Sequence, residues 1–197
     1  MNKTKIEWCD YTWNPLIGCR HGCKYCYAKR LNSRFNFIPK WETPIFFPDR
    51  VNEPTAKRKG AKIFVCSMSD LFGNWVRSEW ITKILHIAAI CPRHEFMFLT
   101  KNPDRYQEFA FPSNCWLGRT ITAPPHPLAD VARIDKPNKT FISVEPLLGD
   151  FSDIHFDVDL VIVGAMTGPG AVIPKREWIK SIRHPNIFYK DNIKKYL

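Results

Sequence analysis

A chain of 197 residues with 45% hydrophobic and 14% aromatic side chains can fill one good core, which excludes a disordered or low-complexity protein. No apolar run approaches the roughly 20 residues that span a bilayer, and the first residues lack the apolar stretch of a secretory signal, so neither a membrane nor a secreted protein is expected. The formal charge of +10 excludes a strongly acidic protein.

That charge is unevenly spread. Residues 1–60 carry 12 basic and 5 acidic side chains, residues 61–174 carry 10 and 12, and residues 175–197 carry 7 and 2. If the two ends of the chain meet, they form one basic face suited to a nucleic acid or another anionic partner. A solvated, solubilising surface accounts for the same numbers. Seven cysteines, an odd count with a tight cluster, favour a reducing, cytoplasmic interior over a disulfide scaffold.

In chain order, Thr12–Ile17 reads as a short first strand, interrupted in composition by Pro15. It leads into Cys19-Arg20-His21-Gly22-Cys23-Lys24-Tyr25-Cys26, three thiols spaced C-x3-C-x2-C. Three close thiolates suit zinc or an iron–sulfur cluster. A closed zinc site wants four ligands, usually as two separated pairs, and no second C-x2-C or H-x3-5-H follows here. A cubane cluster has four irons, so three thiolates leave one iron open to another ligand. Cys9, Cys66, Cys91 and Cys115 read as small buried hydrophobes, with Cys9 the expected exception because it lies near the cysteine loop.

Tyr27 to Asn36 is helix-competent, and residues 37–61 are loop-like, with Pro39, Pro44, Pro48, Pro54 and the basic run Lys57-Arg58-Lys59. Lys62–Cys66 is a continuous apolar run, as a buried parallel strand requires, and stops at Ser67-Met68-Ser69-Asp70. Ser78 opens a helix to about Ile90. Glu95–Leu99 is the next strand, stopping at Thr100-Lys101, and Asn102-Pro103 starts a short helix. Cys115–Gly118 is a strand running into Arg119-Thr120-Ile121-Thr122, followed by a helix-like stretch at 128–134. Thr140–Val144 ends at Glu145-Pro146, and Leu160–Val163 ends at a glycine-bearing loop, 164–170. Lys175–Ile182 is amphipathic and helical, and Asn186–Tyr189 is a last strand before Lys190.

Strands alternating with helical connectors predict an α/β fold with a parallel sheet, one domain over residues 1–197. A full eight-fold barrel needs about 250 residues, so an incomplete parallel (β/α) barrel of about six βα units fits better. Active groups in such barrels gather where strands run out. Ser67, Ser69 and Asp70, Thr100 and Lys101, Arg119, Thr120 and Thr122, Glu145, Thr167 and Lys190 all fall there. Strand-ending and helix-capping explain Ser69 and Asn102, but not the charged Lys101, Glu145 and Lys190, each directly after a core strand. Lys101 and Glu145 are the expected catalytic pair.

The cysteine spacing, with Tyr25 before the last cysteine, resembles the signature of the radical S-adenosylmethionine (SAM) superfamily. More narrowly, the chain resembles phage- and prokaryote-borne radical-SAM-like proteins of largely uncharacterised function. The matching stretches are Ile6-Glu7-Trp8, Thr12-Trp13-Asn14-Pro15, Gly22-Cys23, Cys26-Tyr27-Ala28, Phe64-Val65, Ser67-Met68-Ser69-Asp70-Leu71-Phe72, Leu99-Thr100-Lys101, Trp116-Leu117-Gly118, Ser143-Val144-Glu145-Pro146-Leu147-Leu148 and Val161-Ile162-Val163-Gly164. Many of those relatives have a longer gap between the first two cysteines, and often Glu-Ser-Gly where this chain has Met166-Thr167-Gly168.

The resemblance implies a 4Fe-4S cluster on Cys19, Cys23 and Cys26, with SAM chelated at the open iron and cleaved to a 5′-deoxyadenosyl radical that abstracts hydrogen. By the same resemblance Tyr25 lies against the adenine, and Ser67, Ser69 and Asp70 lie where the SAM amino group binds, with Thr100 beside them. Arg119 or Lys101 would pair the SAM carboxylate, and Thr120, Thr122 or Glu145 the ribose. Gly164 begins a loop that permits close backbone approach to a ligand. A flavodoxin- or ferredoxin-like electron donor is implied as partner, and the basic ends and many aromatics point to nucleic acid or a nucleotide as substrate. The alternatives are a zinc- or cluster-stabilised nucleic-acid-binding module and a partner subunit without catalysis.

Overall fold

The computed structural model describes residues 1–124 and 134–197. The chain is α/β, and its longer strands run parallel. It divides into two compact units, Met1–Trp116 and Leu117–Leu197. No helix among the described residues is long and apolar enough to cross a membrane.

In the first unit, β1 (Asn2–Lys3) pairs antiparallel with β2 (Tyr11–Trp13), and β2 runs parallel to β5 (Lys62–Val65), which runs parallel to β6 (Glu95–Thr100). The expected single strand over 12–17 is broken. Residues Leu16–Ile17 form β3, which pairs instead with β4 (Ile45–Phe46) in a small second sheet. The break falls at Asn14-Pro15, and the reason is visible: the Asn14 side chain turns across to the loop after β5, accepting from Ser67 Oγ at 3.1 Å and from the Met68 N–H at 3.0 Å.

The helix expected from residue 27 is α1 (Tyr27–Phe35), closed by Asn36 in the left-handed conformation. Asn32 is buried in it and ties it down, donating to the Ile38 carbonyl and accepting from the Ile38 N–H, each at 3.0 Å. The proline-rich stretch is not structureless, since Pro48–Arg50 and Glu53–Ala56 are short 3-10 turns. The helix α2 (Ser78–Ile90) has the predicted bounds and buries Ile81, Ile84, Leu85, Ile87 and Ala88. The short helix expected from Asn102-Pro103 is present as a 3-10 helix, Pro103–Glu108, and Asn102 makes no side-chain capping bond to it. Around Phe72 a set of rings fills this core: Tyr106 at 4.6 Å, Phe98 and Phe111 at 5.8 Å and Phe109 at 6.1 Å.

In the second unit, β7 (Cys115–Thr120, its first two residues belonging to the first unit), β8 (Thr140–Val144), β9 (Leu160–Val163) and β10 (Ile187–Tyr189) run parallel in that order. The helix α3 (Arg176–Ser181) joins β9 to β10, and α4 (Asp191–Lys194) follows β10. The core is aliphatic and aromatic, with Ile142, Val144, Phe151, Val161 and Ile179 fully enclosed. Of the expected helix at 128–134, residues 128–133 lie outside the described residues.

Parallel strands put their carboxyl ends on one edge, and in the first unit the cysteine loop starts on that edge. Gly18 bridges Ser69, its N–H donating to the Met68 carbonyl at 3.0 Å and its carbonyl accepting from Ser69 Oγ at 2.5 Å. Gly18 has φ +104°, and a Cβ there would stand 2.7 Å from the Trp41 carbonyl oxygen and 2.9 Å from Pro44 Cα. Both neighbours are backbone and cannot yield cheaply. Gly18→Ala should therefore cost about 2–4 kcal/mol of stability, measured by urea denaturation; an unchanged midpoint would show that the loop entry is not held as described.

Candidate cofactor site at the cysteine loop

The loop between β3 and α1 carries all three clustered thiols. The Cys19 N–H donates to the Trp41 carbonyl at 3.0 Å, and Gly22 turns the loop with φ +66°. Cys26 caps α1, its sulfur accepting from the Lys29 N–H at 3.4 Å. Cys19 and Cys26 both pack on the apolar cluster of Ile17, Ala28, Ile38, Trp41 and Met68. Burial pushes the Cys19 thiol up to about 11; a backbone bond from His21 offsets part of this, and the charges of Asp70, Cys23 and Cys26 add to the rise. Such a thiol is protonated at neutral pH, so a metal binding it displaces a proton.

The other four cysteines are free thiols and buried. Burial raises Cys115 to about 12 and lifts Cys66 and Cys91 as well, which makes them inert packing groups. Cys9 is not near the cysteine loop. It sits before β2, at the opposite edge of the strands, so it is no exception to this reading.

Asp70 organises the site. It is 5% exposed and accepts four hydrogen bonds. They come from His21 Nε2 at 2.7 Å, Thr100 Oγ1 at 2.7 Å, the Lys101 N–H at 2.9 Å and the Phe72 N–H at 3.0 Å. Burial alone would raise its carboxyl; the bonds from His21, Lys101 and Thr100 outweigh it and hold Asp70 below the ordinary aspartate value. An ammonium group expected at Asp70 would compete with donors the chain already supplies.

The remaining expected residues of this unit gather around it. The Ser67 carbonyl accepts from Tyr27 Oη at 2.6 Å. Ser69 spends its hydroxyl on Gly18 rather than on a helix cap. The Lys101 ammonium lies 5.8 Å from the centre of the Tyr25 ring and pairs with no carboxylate among the described residues. Asn102 reaches the Phe72 carbonyl at 2.9 Å and Asn74 Oδ1 at 2.6 Å, and buried Arg105 bonds the Val76 carbonyl at 2.6 Å and the Gly73 carbonyl, so the loop after β5 is pinned along its length.

Sequence reasoning gave no role to His21, Asn14, Tyr27 or Trp75. The His21 ring meets Trp75 edge-on at 4.8 Å, and the Trp75 indole N–H is buried with no partner. Position inside the motif was a usable signal for His21, and nothing in the sequence marks Trp75.

The second unit holds the other expected residues, again at the carboxyl ends of its strands. Glu145 and Lys190 form an ion pair with side chains 29% and 15% exposed. Gly164 makes room for it, because a Cβ there would stand 3.0 Å from both Glu145 Cδ and Lys190 Cδ. Arg119 and Thr120 end β7, and the Thr122 carbonyl accepts from the Leu148 N–H at 2.8 Å. Thr167 is exposed.

The donor set can be tested against the implied cluster. Three thiols lie on one loop, close enough for Cys23 and Cys26 to perturb Cys19, and an orphan indole donor lies beside the loop's histidine. Among the described residues no three His, Cys, Asp or Glu side chains converge as ligands of a single metal ion. A cubane takes each thiolate on a different iron, so its ligands stand wider apart than those of one ion. In type and number the residues fit a cluster.

Asp70→Asn would replace an acceptor by an amide N–H facing donors, at a cost of about 2–4 kcal/mol. Because the folded carboxyl lies below its ordinary value of 3.8, its contribution is complete above that pH and lost as pH falls through the folded value. Stability against pH should fall below pH 4 in the wild type, and the variant should lose that part of the fall; identical profiles would refute the network.

Among known proteins, the chain is 26% identical over 182 residues to an uncharacterised protein of Methanocaldococcus jannaschii, covering 79% of this chain and 67% of that one. No solved structure matches. A family model described as "Protein of unknown function (DUF5131)" matches residues 3–188, and the chain belongs to that family.

Proposed function

We propose that this protein is a radical SAM enzyme built on a partial (β/α) barrel, working in a reducing cytoplasm. The observation that carries the reading is the loop of Cys19, Cys23 and Cys26, three thiols and no fourth in the motif, anchored by Gly18 at the carboxyl edge of the parallel strands. When bound there, a reduced 4Fe-4S cluster would supply the electron that cleaves SAM to methionine and a 5′-deoxyadenosyl radical.

The chain's own residues would do the rest. Gly18 and the Cys26 cap fix the two ends of the loop, and His21, held by Asp70, fixes its middle. Lys101 offers an ammonium to a ligand carboxylate, with its backbone position set by the bond to Asp70. Tyr25 offers a ring beside that ammonium, suited to an adenine face. In the second unit, the Glu145–Lys190 ion pair, Arg119 and Thr120 stand at the carboxyl ends of strands, with Thr122 and Gly164 just beyond β7 and β9, as a polar set of that unit's own. The substrate class we favour is a nucleic acid or nucleotide, and the electron donor a flavodoxin- or ferredoxin-like protein.

Anaerobic reconstitution with iron and sulfide, followed by dithionite and SAM, should give a brown protein that forms 5′-deoxyadenosine, with Cys23→Ala at the level of the protein-free control. A colourless protein with stoichiometric zinc, or a brown one that leaves SAM intact, would overturn the proposal.

A further inference from the structure

The first unit has a second polar feature, on the edge of its strands away from the cysteine loop. Before β2 and β5 begin, Lys3, Asp10, Tyr11, Lys57, Arg58 and Lys59 line an open groove of about 590 Å³. Four cations there face one carboxylate, and Asp10 already accepts from the Lys62 N–H at 2.8 Å. Lys3, Arg58 and Lys59 are exposed and make no ion pair among the described residues. The Lys57 ammonium stands 4.1 Å over the Tyr11 ring.

The cations sit on fixed backbone. Arg93 bonds the Lys57 carbonyl at 2.8 Å and the Thr55 carbonyl at 3.0 Å, and the Lys57 N–H reaches the Pro54 carbonyl at 3.1 Å. Lys3 is paired opposite Tyr11 in β1, with the Thr4 N–H on the Asp10 carbonyl at 3.2 Å. Exposed lysines on an edge strand also discourage strand pairing, but that role does not call for three consecutive cations on a separate, braced loop.

We propose that this groove docks the phosphodiester backbone of a nucleic acid. None of the exposed large hydrophobic side chains lines it, so it lacks the apolar centre that a protein partner's interface requires. A phosphodiester chain needs cations and little else. The three-residue β2 separates the groove from the site edge by about 10 Å, so the contact holds the polymer without entering the chemistry. The proposal stands whether or not the cysteine loop carries a cluster.

The test is fluorescence anisotropy of the full chain with a labelled single-stranded oligonucleotide of mixed sequence, titrated from 50 to 200 mM salt. Binding should weaken linearly on a log–log plot, and Lys57→Ala/Arg58→Ala/Lys59→Ala should make the slope shallower by about 2, at about 0.7 per lost contact on a single strand. Its affinity at the lowest salt should fall by on the order of 10–100-fold. Arg58→Glu, a single change at an exposed position, should weaken binding in the same direction and serves if the triple variant misfolds. Unchanged slope and affinity in a folded variant, or tighter binding of poly-glutamate than of the oligonucleotide, would overturn the proposal. Cluster loading of the same variants should equal wild type, which separates failure of the groove from failure of the cofactor reading.

Discussion

One buried carboxylate ties the candidate site together. Asp70 leaves β5 and takes bonds from the cysteine loop through His21, from the end of β6 through Thr100 and Lys101, and from its own loop through Phe72. A buried anion is expensive unless its acceptor sites are filled, and here four donors fill them. The carboxylate therefore requires three separate backbone segments to meet at fixed distances. The cysteine loop is short, with two left-handed glycines, and depends on such external ties to hold one shape.

The ties run outward in both directions. Toward the loop after β5, Asn14, Asn102 and Arg105 bond successive backbone groups from Met68 to Val76. Toward α1, the Cys26 cap and the Asn32–Ile38 pair of bonds fix the helix that follows the thiols. What results is a rigid cradle at the carboxyl ends of β2, β5 and β6, the edge where α/β proteins place ligands. A preorganised cradle is what radical chemistry requires of its protein, since the cofactor supplies the reactivity and the chain supplies orientation and exclusion of water.

Much of this was legible in the sequence. Lys62–Val65 and Glu95–Thr100 are continuous apolar runs that read as buried parallel strands, and α2 shows its buried face at helical spacing. The strands β1 and β4 were not legible, and β3 was read only as the end of a longer strand, because two residues carry no period; pairing across the chain defines them. Asp70 illustrates the limit at the site. Its place after a strand singled it out, but its partners are 30, 31 and 49 residues away, so sequence pattern offered an anion for a ligand where the fold spends that anion on the chain. Glu145 and Lys190, 45 residues apart, were each marked as charges after strands, and only the fold shows them paired across Gly164.

The central claim is that three thiols of one loop hold a cluster with one iron left for SAM. Electron paramagnetic resonance of the anaerobically reconstituted, dithionite-reduced protein, recorded before and after addition of SAM, tests it most directly. The account predicts a reduced-cluster signal whose shape changes when SAM binds the open iron. A signal indifferent to SAM, or a protein that holds zinc and gives no signal, would contradict it.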